Sequence, residues 1–131
     1  MRIPPSLPPK EPTQPPDISQ KDKDAIYLII DAIKDVKKGS IIDQKTLGMI
    51  IENYRYLSKE YEDNKISGKI LDLVTTSLFG VMTDNENSLG DMVFDYENHP
   101  DKQLPKQDFN VVITGNNFQD NLTQLEQLVP R

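Results

Sequence analysis

From Ser19 to Met82 the apolar residues recur every three or four positions in three successive stretches, a spacing that lines them along one side of a helix and gives a strand no consistent face. The first stretch, Ile26, Ile29, Ile30, Ile33 and Val36, predicts a helix over 19–38. Ser19 and Asp22 form a capping box at its start, Lys34, Lys37 and Lys38 offset the dipole at its end, and Gly39 supplies a left-handed cap. The second, Leu47, Ile50, Ile51, Tyr54, Leu57 and Tyr61, is capped by Asp43 and turns Lys59, Glu60, Glu62 and Asp63 to water. In the third, Ile66, Ile70, Leu73, Val74, Leu78 and Val81 are joined by Leu71, Phe79 and Met82, which makes the apolar face broader than a surface helix needs. Short connections between three such helices favour antiparallel neighbours. The expected fold is therefore mainly α: a small three-helix bundle with a proline-rich N-terminal arm and a short C-terminal strand–helix segment.

The arm is set by proline. Residues 1–16 hold seven of the ten prolines, and each removes a backbone donor and fixes φ, so an extended segment is expected over 1–17. Pro5 and Pro8, with Arg2 or Lys10 beside them, resemble the PxxP ligands of SH3 domains, although any proline-dense spacer generates this spacing. Ile3, Pro5, Leu7 and Pro8 are the arm's candidate contacts with a partner. At the other end, Leu128-Val129-Pro130-Arg131 resembles the residue of a thrombin-cleaved tag, which would put the native end near Gln127; in a native ending, proline would instead close off a terminal helix.

Between the bundle (18–97) and that tail, the segment 98–127 begins with a polar loop. Ser88 to Tyr96 reads as a short helix or, second, as an extended piece with Met92, Phe94 and Tyr96 alternating, and Phe109–Thr114 is the one convincing strand, followed by a turn at Gly115-Asn116-Asn117 and helical spacing of Phe118, Leu122 and Leu125. Period-two geometry places Val111 and Ile113 on one face and Val112 on the other. A lone strand presents unpaired backbone groups, so it is expected to pair with 91–96 or with another subunit. Phe109, Val111, Val112, Ile113 and Phe118 are accordingly candidate partner-binding residues. Tyr56 joins them as the tyrosine of 54, 56 and 61 that falls off the apolar stripe of the second helix.

Lys and Arg number 15 against 21 Asp and Glu, a net charge of −6, which disfavours direct binding to nucleic acid. There is no cysteine, so disulfides, thiolate metal sites and cysteine nucleophiles are excluded. No apolar run is long enough for a membrane span, and a cytoplasmic chain, or a virion component if viral, is expected.

His99 is the single histidine and has no nucleophile placed near it by a motif. Asp84, Glu86, Ser88 and Asp95 resemble a calcium loop, but Leu89 stands where glycine makes the sharp turn and Asp91 where an apolar residue joins paired loops. Gly115-Asn116-Asn117 lacks the further glycines, lysine and Ser/Thr of a phosphate cradle. No cofactor, metal or small-molecule substrate is expected, and no enzyme. The reading is a non-enzymatic interaction or assembly subunit that binds a protein partner or its own copies; the alternative is a small acidic inhibitor of an enzyme acting on nucleic acid. Millimolar calcium is expected to leave the melting temperature unchanged, and a saturable rise abolished by Asp84→Ala would show the opposite.

Overall fold

In a computed structural model, which describes residues 18–104 and 106–131, the chain is mainly helical. Its helices are α1 (Gln20–Ile33), α2 (Gln44–Glu62), α3 (Gly68–Phe79), α4 (Leu89–Asn98) and α5 (Phe118–Leu128). Its strands are β1 (Ile41–Ile42), β2 (Val81–Thr83) and β3 (Phe109–Thr114), in the order β1-β3-β2. The proline-rich arm, with Ile3, Pro5, Leu7 and Pro8, lies outside the described residues.

β3 forms where its β-branched run predicts, but it is not alone. It is the central strand, antiparallel to β1 on one side and β2 on the other, whereas 91–96 lies within α4. Both neighbours come from residues expected to belong to helices or their ends. Gly39 donates its amide to the Val111 carbonyl and Ser40 accepts from the Val111 amide, both at 2.8 Å. Those bonds demand extended chain at 39–42, so α1 stops at Ile33 and Gly39, at φ +93°, serves the turn into β1. Likewise α3 stops at Phe79, and Val81 and Met82 enter the sheet.

The predicted alternation along β3 breaks at a bulge. Thr83 faces Val111 while Met82 faces Ile113, which leaves Val112 as the extra residue on β3. One inserted residue reverses the faces beyond it: Val111 is buried, and Ile113 points outward beside Met82.

Serine and aspartate caps start the helices as their side-chain chemistry predicts. Asp43 accepts from Thr46 N (2.7 Å), Ser67 from Ile70 N (3.3 Å), and Ser88 with Asp91 makes a complete capping box. The hydrogen bond from Thr46 holds the Asp43 carboxyl below its ordinary range. At α1 Ser19 caps Asp22 N, but the Asp22 carboxylate turns to Tyr56 instead of completing a box.

One core joins all five helices and the inner face of the sheet, with Ile26, Ile30, Ile33, Leu47, Ile50, Ile51, Leu57, Ile70, Leu78 and Leu89 fully enclosed. α1 lies on α2, whereas α3, expected to complete a three-helix bundle with them, packs chiefly on α5 and then α4. The last four residues pack on the rest of the chain. Val129 is fully buried, its carbonyl accepts from the Tyr27 hydroxyl at 2.5 Å, and Arg131 lies over the Tyr27 ring and pairs with Asp31.

Near the start of α4, Phe79 lies flat against the Gly90 backbone, and a Cβ there would fall 2.5 Å from the ring. Alanine suits a helix better than glycine by up to about 1 kcal/mol, but overpacking costs about 1–3 kcal/mol. Gly90→Ala is therefore expected to destabilise the fold by about 1–2 kcal/mol in urea denaturation, with unchanged slope.

Candidate functional site

The bulge gives the sheet's outer face its character. Opposite residues share a face, so Ile41 stands outward beside Asn110, and Ile113 beside Met82. Ile41 is 63% exposed, Ile113 61%, Val112 38% and Met82 36%. The inner counterparts, Ile42, Phe109, Val111, Thr83 and Val81, are buried. The polar element of the outer face is tied down: Asp84 accepts from the Asn110 amide (3.2 Å) and side-chain nitrogen (3.0 Å).

The candidate partner contacts thus separate. Val112 and Ile113 are on the surface, whereas Phe109, Val111 and Phe118 are 4%, 1% and 2% exposed and belong to the core of their own chain. Their apolar character, read as unmet need for a partner, is met by β1, β2 and the helices. Ile41 and Met82 were missed because Met82 lies in a stretch with helical spacing and Ile41 in the short connection between the first two; only the pairing of β3 turns them outward.

Tyr56 and Tyr61 exchange expected places. Tyr61, assigned to the core stripe, is 45% exposed with its ring against Gly68. Tyr56 is half-buried, donates its hydroxyl to the fully buried Asp22 at 2.6 Å, and carries Lys21 over its ring at 5.1 Å. Burial and the Asp22 acceptor push the Tyr56 hydroxyl well above its ordinary range, so it remains a donor. Glu60 completes the cluster, its carboxyl raised by desolvation and by the neighbouring Asp22. The tyrosine and the two carboxyls make a clasp between α1 and α2.

A second aromatic group runs across α2, α4 and α3. Tyr54 and Phe94 have ring centroids 6.0 Å apart, and Phe94 meets Phe79 edge-on at 5.3 Å. Tyr54 is anchored by its hydroxyl to Thr75 (2.8 Å), and burial, then the charge of Glu97, raise its titration. His99, at the C-terminus of α4, is exposed; Gly115 gives its amide to the Gly80 carbonyl at 2.7 Å, continuing the β2–β3 pairing, and its carbonyl accepts from the Phe118 amide at 3.2 Å across the turn. Among the described residues no group of three or more histidine, aspartate or glutamate side chains is placed to hold a metal ion, and no helix is long and apolar enough to cross a membrane. The chain matches no known protein family, and no curated protein or solved structure is significantly similar to it.

Glu60 makes the clasp pH-sensitive in a defined direction. Its folded-state value lies above the unfolded one, so its contribution is present below the unfolded carboxylate range and is lost as pH rises through the raised value. Glu60→Gln is expected to raise the melting temperature at pH 7, a difference that closes as pH falls through the carboxylate range. A difference independent of pH would remove Glu60 from the cluster.

Proposed function

We propose that this chain is a non-enzymatic interaction or assembly subunit of a larger complex, and that it binds protein through the outer face of its sheet, a second copy of itself first. The observation that carries the reading is the exposed pairing of Ile113 with Met82, with Ile41 and Val112 on the same small sheet. Covering a fully exposed isoleucine gains about 1.5–3 kcal/mol, and Ile41 and Ile113 each keep more than half of their surface in water. An apolar face also complements itself across a two-fold axis, where a face of one charge would repel its copy. The proline-rich arm is a further candidate contact, through the chemistry of extended PxxP ligands.

The alternative, an acidic inhibitor of an enzyme that acts on nucleic acid, has the net charge of −6 behind it. Charges of both signs alternate along the helices, the pattern of ordinary solvated surfaces.

Sedimentation velocity over a concentration series tests the reading. The full chain is expected to self-associate, and Ile113→Asp to be monomeric with a melting stability within about 0.5 kcal/mol of the parent, since the side chain is outside the core. A parent chain that stays monomeric to millimolar concentration, or a variant that associates as before, would overturn it.

A further inference from the structure

One edge of the sheet is closed and the other is open. Beyond β2 the chain folds back on itself, and the Thr83 amide is bonded to the Asn87 carbonyl at 2.9 Å. Beyond β1 no strand follows among the described residues. The bonds of β3 fix which way β1 faces. Val111 bonds the 39–40 turn, whereas the amide and carbonyl of its neighbour Asn110 are both engaged by Asp84 on the β2 side. Ile41 stands opposite Asn110 in a non-hydrogen-bonded pair, so its own N–H and C=O point away from β3 to the open edge. Along that edge runs a groove of about 540 Å³, lined by Leu28, Ala32, Ile41 and Met49 and by the carboxylates of Asp31 and Asp35, with no lysine or arginine. Leu28 is 47% and Ile41 63% exposed, so this apolar surface is open to an incoming side chain. An unpaired edge beside it is a template for an added strand. Because α1 walls the groove opposite β1, the space admits one extended segment rather than the edge of another folded sheet.

We infer that the segment is this chain's own N-terminal arm: Ser6 exchanges both backbone bonds with Ile41, adding a strand beyond β1, and the Leu7 side chain enters the groove against Leu28 and Ala32. Reach favours the arm, since it joins the chain at Ile18, just before the helix that walls the groove. From Gln20 to Ala32 α1 rises about 18 Å, and residues 8–17 can span about 30 Å. A tether of that length supplies the strand at roughly millimolar effective concentration. The prolines fit as well. β1 offers a single residue with outward groups, so one partner residue with an N–H suffices; Pro8 ends the pairing there, and Pro5 removes a donor from the new outer edge, which blocks any further strand. Charge agrees, because Arg2 and Lys10 flank the stretch and the groove carries Asp31 and Asp35. Asp31 is shared with Lys34 and Arg131, while Asp35 forms no ion pair among the described residues. The inference needs no self-association and uses none of Met82, Val112 and Ile113.

The test is amide hydrogen exchange of the full chain, followed residue by residue by NMR. The Ile41 amide points to the open edge, so only an added partner protects it. It is expected to be protected in the parent and to exchange about tenfold or more faster in Ser6→Pro, which removes the arm's donor, and in Leu7→Asp, which charges the groove contact. The Val111 amide, bonded to the Ser40 carbonyl, is expected to be unchanged in both. Fast exchange of Ile41 in the parent, or protection that survives both variants, would overturn the inference. The chain holds no cysteine, so Glu11→Cys takes a single nitroxide label. Broadening of the Leu28, Ala32 and Ile41 amides is expected within the labelled molecule, and none in a mixture where isotope and nitroxide are on different copies. Broadening in the mixture would overturn the assignment to the chain's own arm and give the groove to the arm of a second copy. Ile113→Asp separates this inference from the sheet-face reading: its Ile41 protection is expected to equal the parent's, whether or not the parent self-associates, and protection lost with the oligomer would overturn the arm as its source.

Discussion

Val111 ties the 39–40 turn to a strand some seventy residues further along the chain. Its amide and carbonyl are both bound to that turn, while its side chain is buried and it lies opposite Thr83. A residue whose amide and carbonyl are both engaged cannot shift register without losing its partners and reversing the faces of the strand. The lengths of the neighbouring helices follow from this. α1 cannot continue into residues that must be extended beside β3, and α3 cannot continue past Phe79 because Val81 and Met82 lie on the other edge. A sheet of three short strands therefore decides where two helices end, even though the helices contribute most of the core.

That hierarchy explains what could be read from the residues in advance. α2, with Asp43 at its start and its apolar stripe, was legible almost to the residue, as were a short helix from Ser88, the β-branched run of β3 and the helical spacing after Asn117. These are decided by local chemistry, caps and side-chain branching. The ends of α1 and α3 were not legible, because the bonds that stop them come from a strand some seventy and thirty residues away. The bulge at Val112 was hidden for the same reason: nothing in Phe-Asn-Val-Val-Ile-Thr says which residue will be left unpaired. Ile113 was therefore placed beside Val111 and proved to face outward. Apolar residues outside the helical stripes were read as belonging to an absent partner, and Phe109, Val111 and Phe118 belong to this chain's own core.

The polar groups inside the core show a division of labour. Ser67 and Ser88 cap helices, Thr83 donates to the Asn87 carbonyl, and Asp22 receives the Tyr56 hydroxyl. Each joins two parts of the backbone or two helices, and each is satisfied within the chain. Ser77 and Glu97 differ: the Ser77 hydroxyl and one carboxylate oxygen of Glu97 are buried without a hydrogen-bond partner among the described residues.

The bond from the Tyr27 hydroxyl to the Val129 carbonyl spans 102 residues, and it has a meaning for how the chain is made. At a ribosomal pace of roughly 5–20 residues per second, the acceptor is synthesised about 5–20 s after the donor. α1 and α2 can pair during that interval, because they are adjacent in sequence. β1 waits for β3, and the surface of α3 that faces α5 stays uncovered until α5 arrives. The nascent chain thus carries an unfinished apolar surface for as long as α5 and Val129 are still to be made.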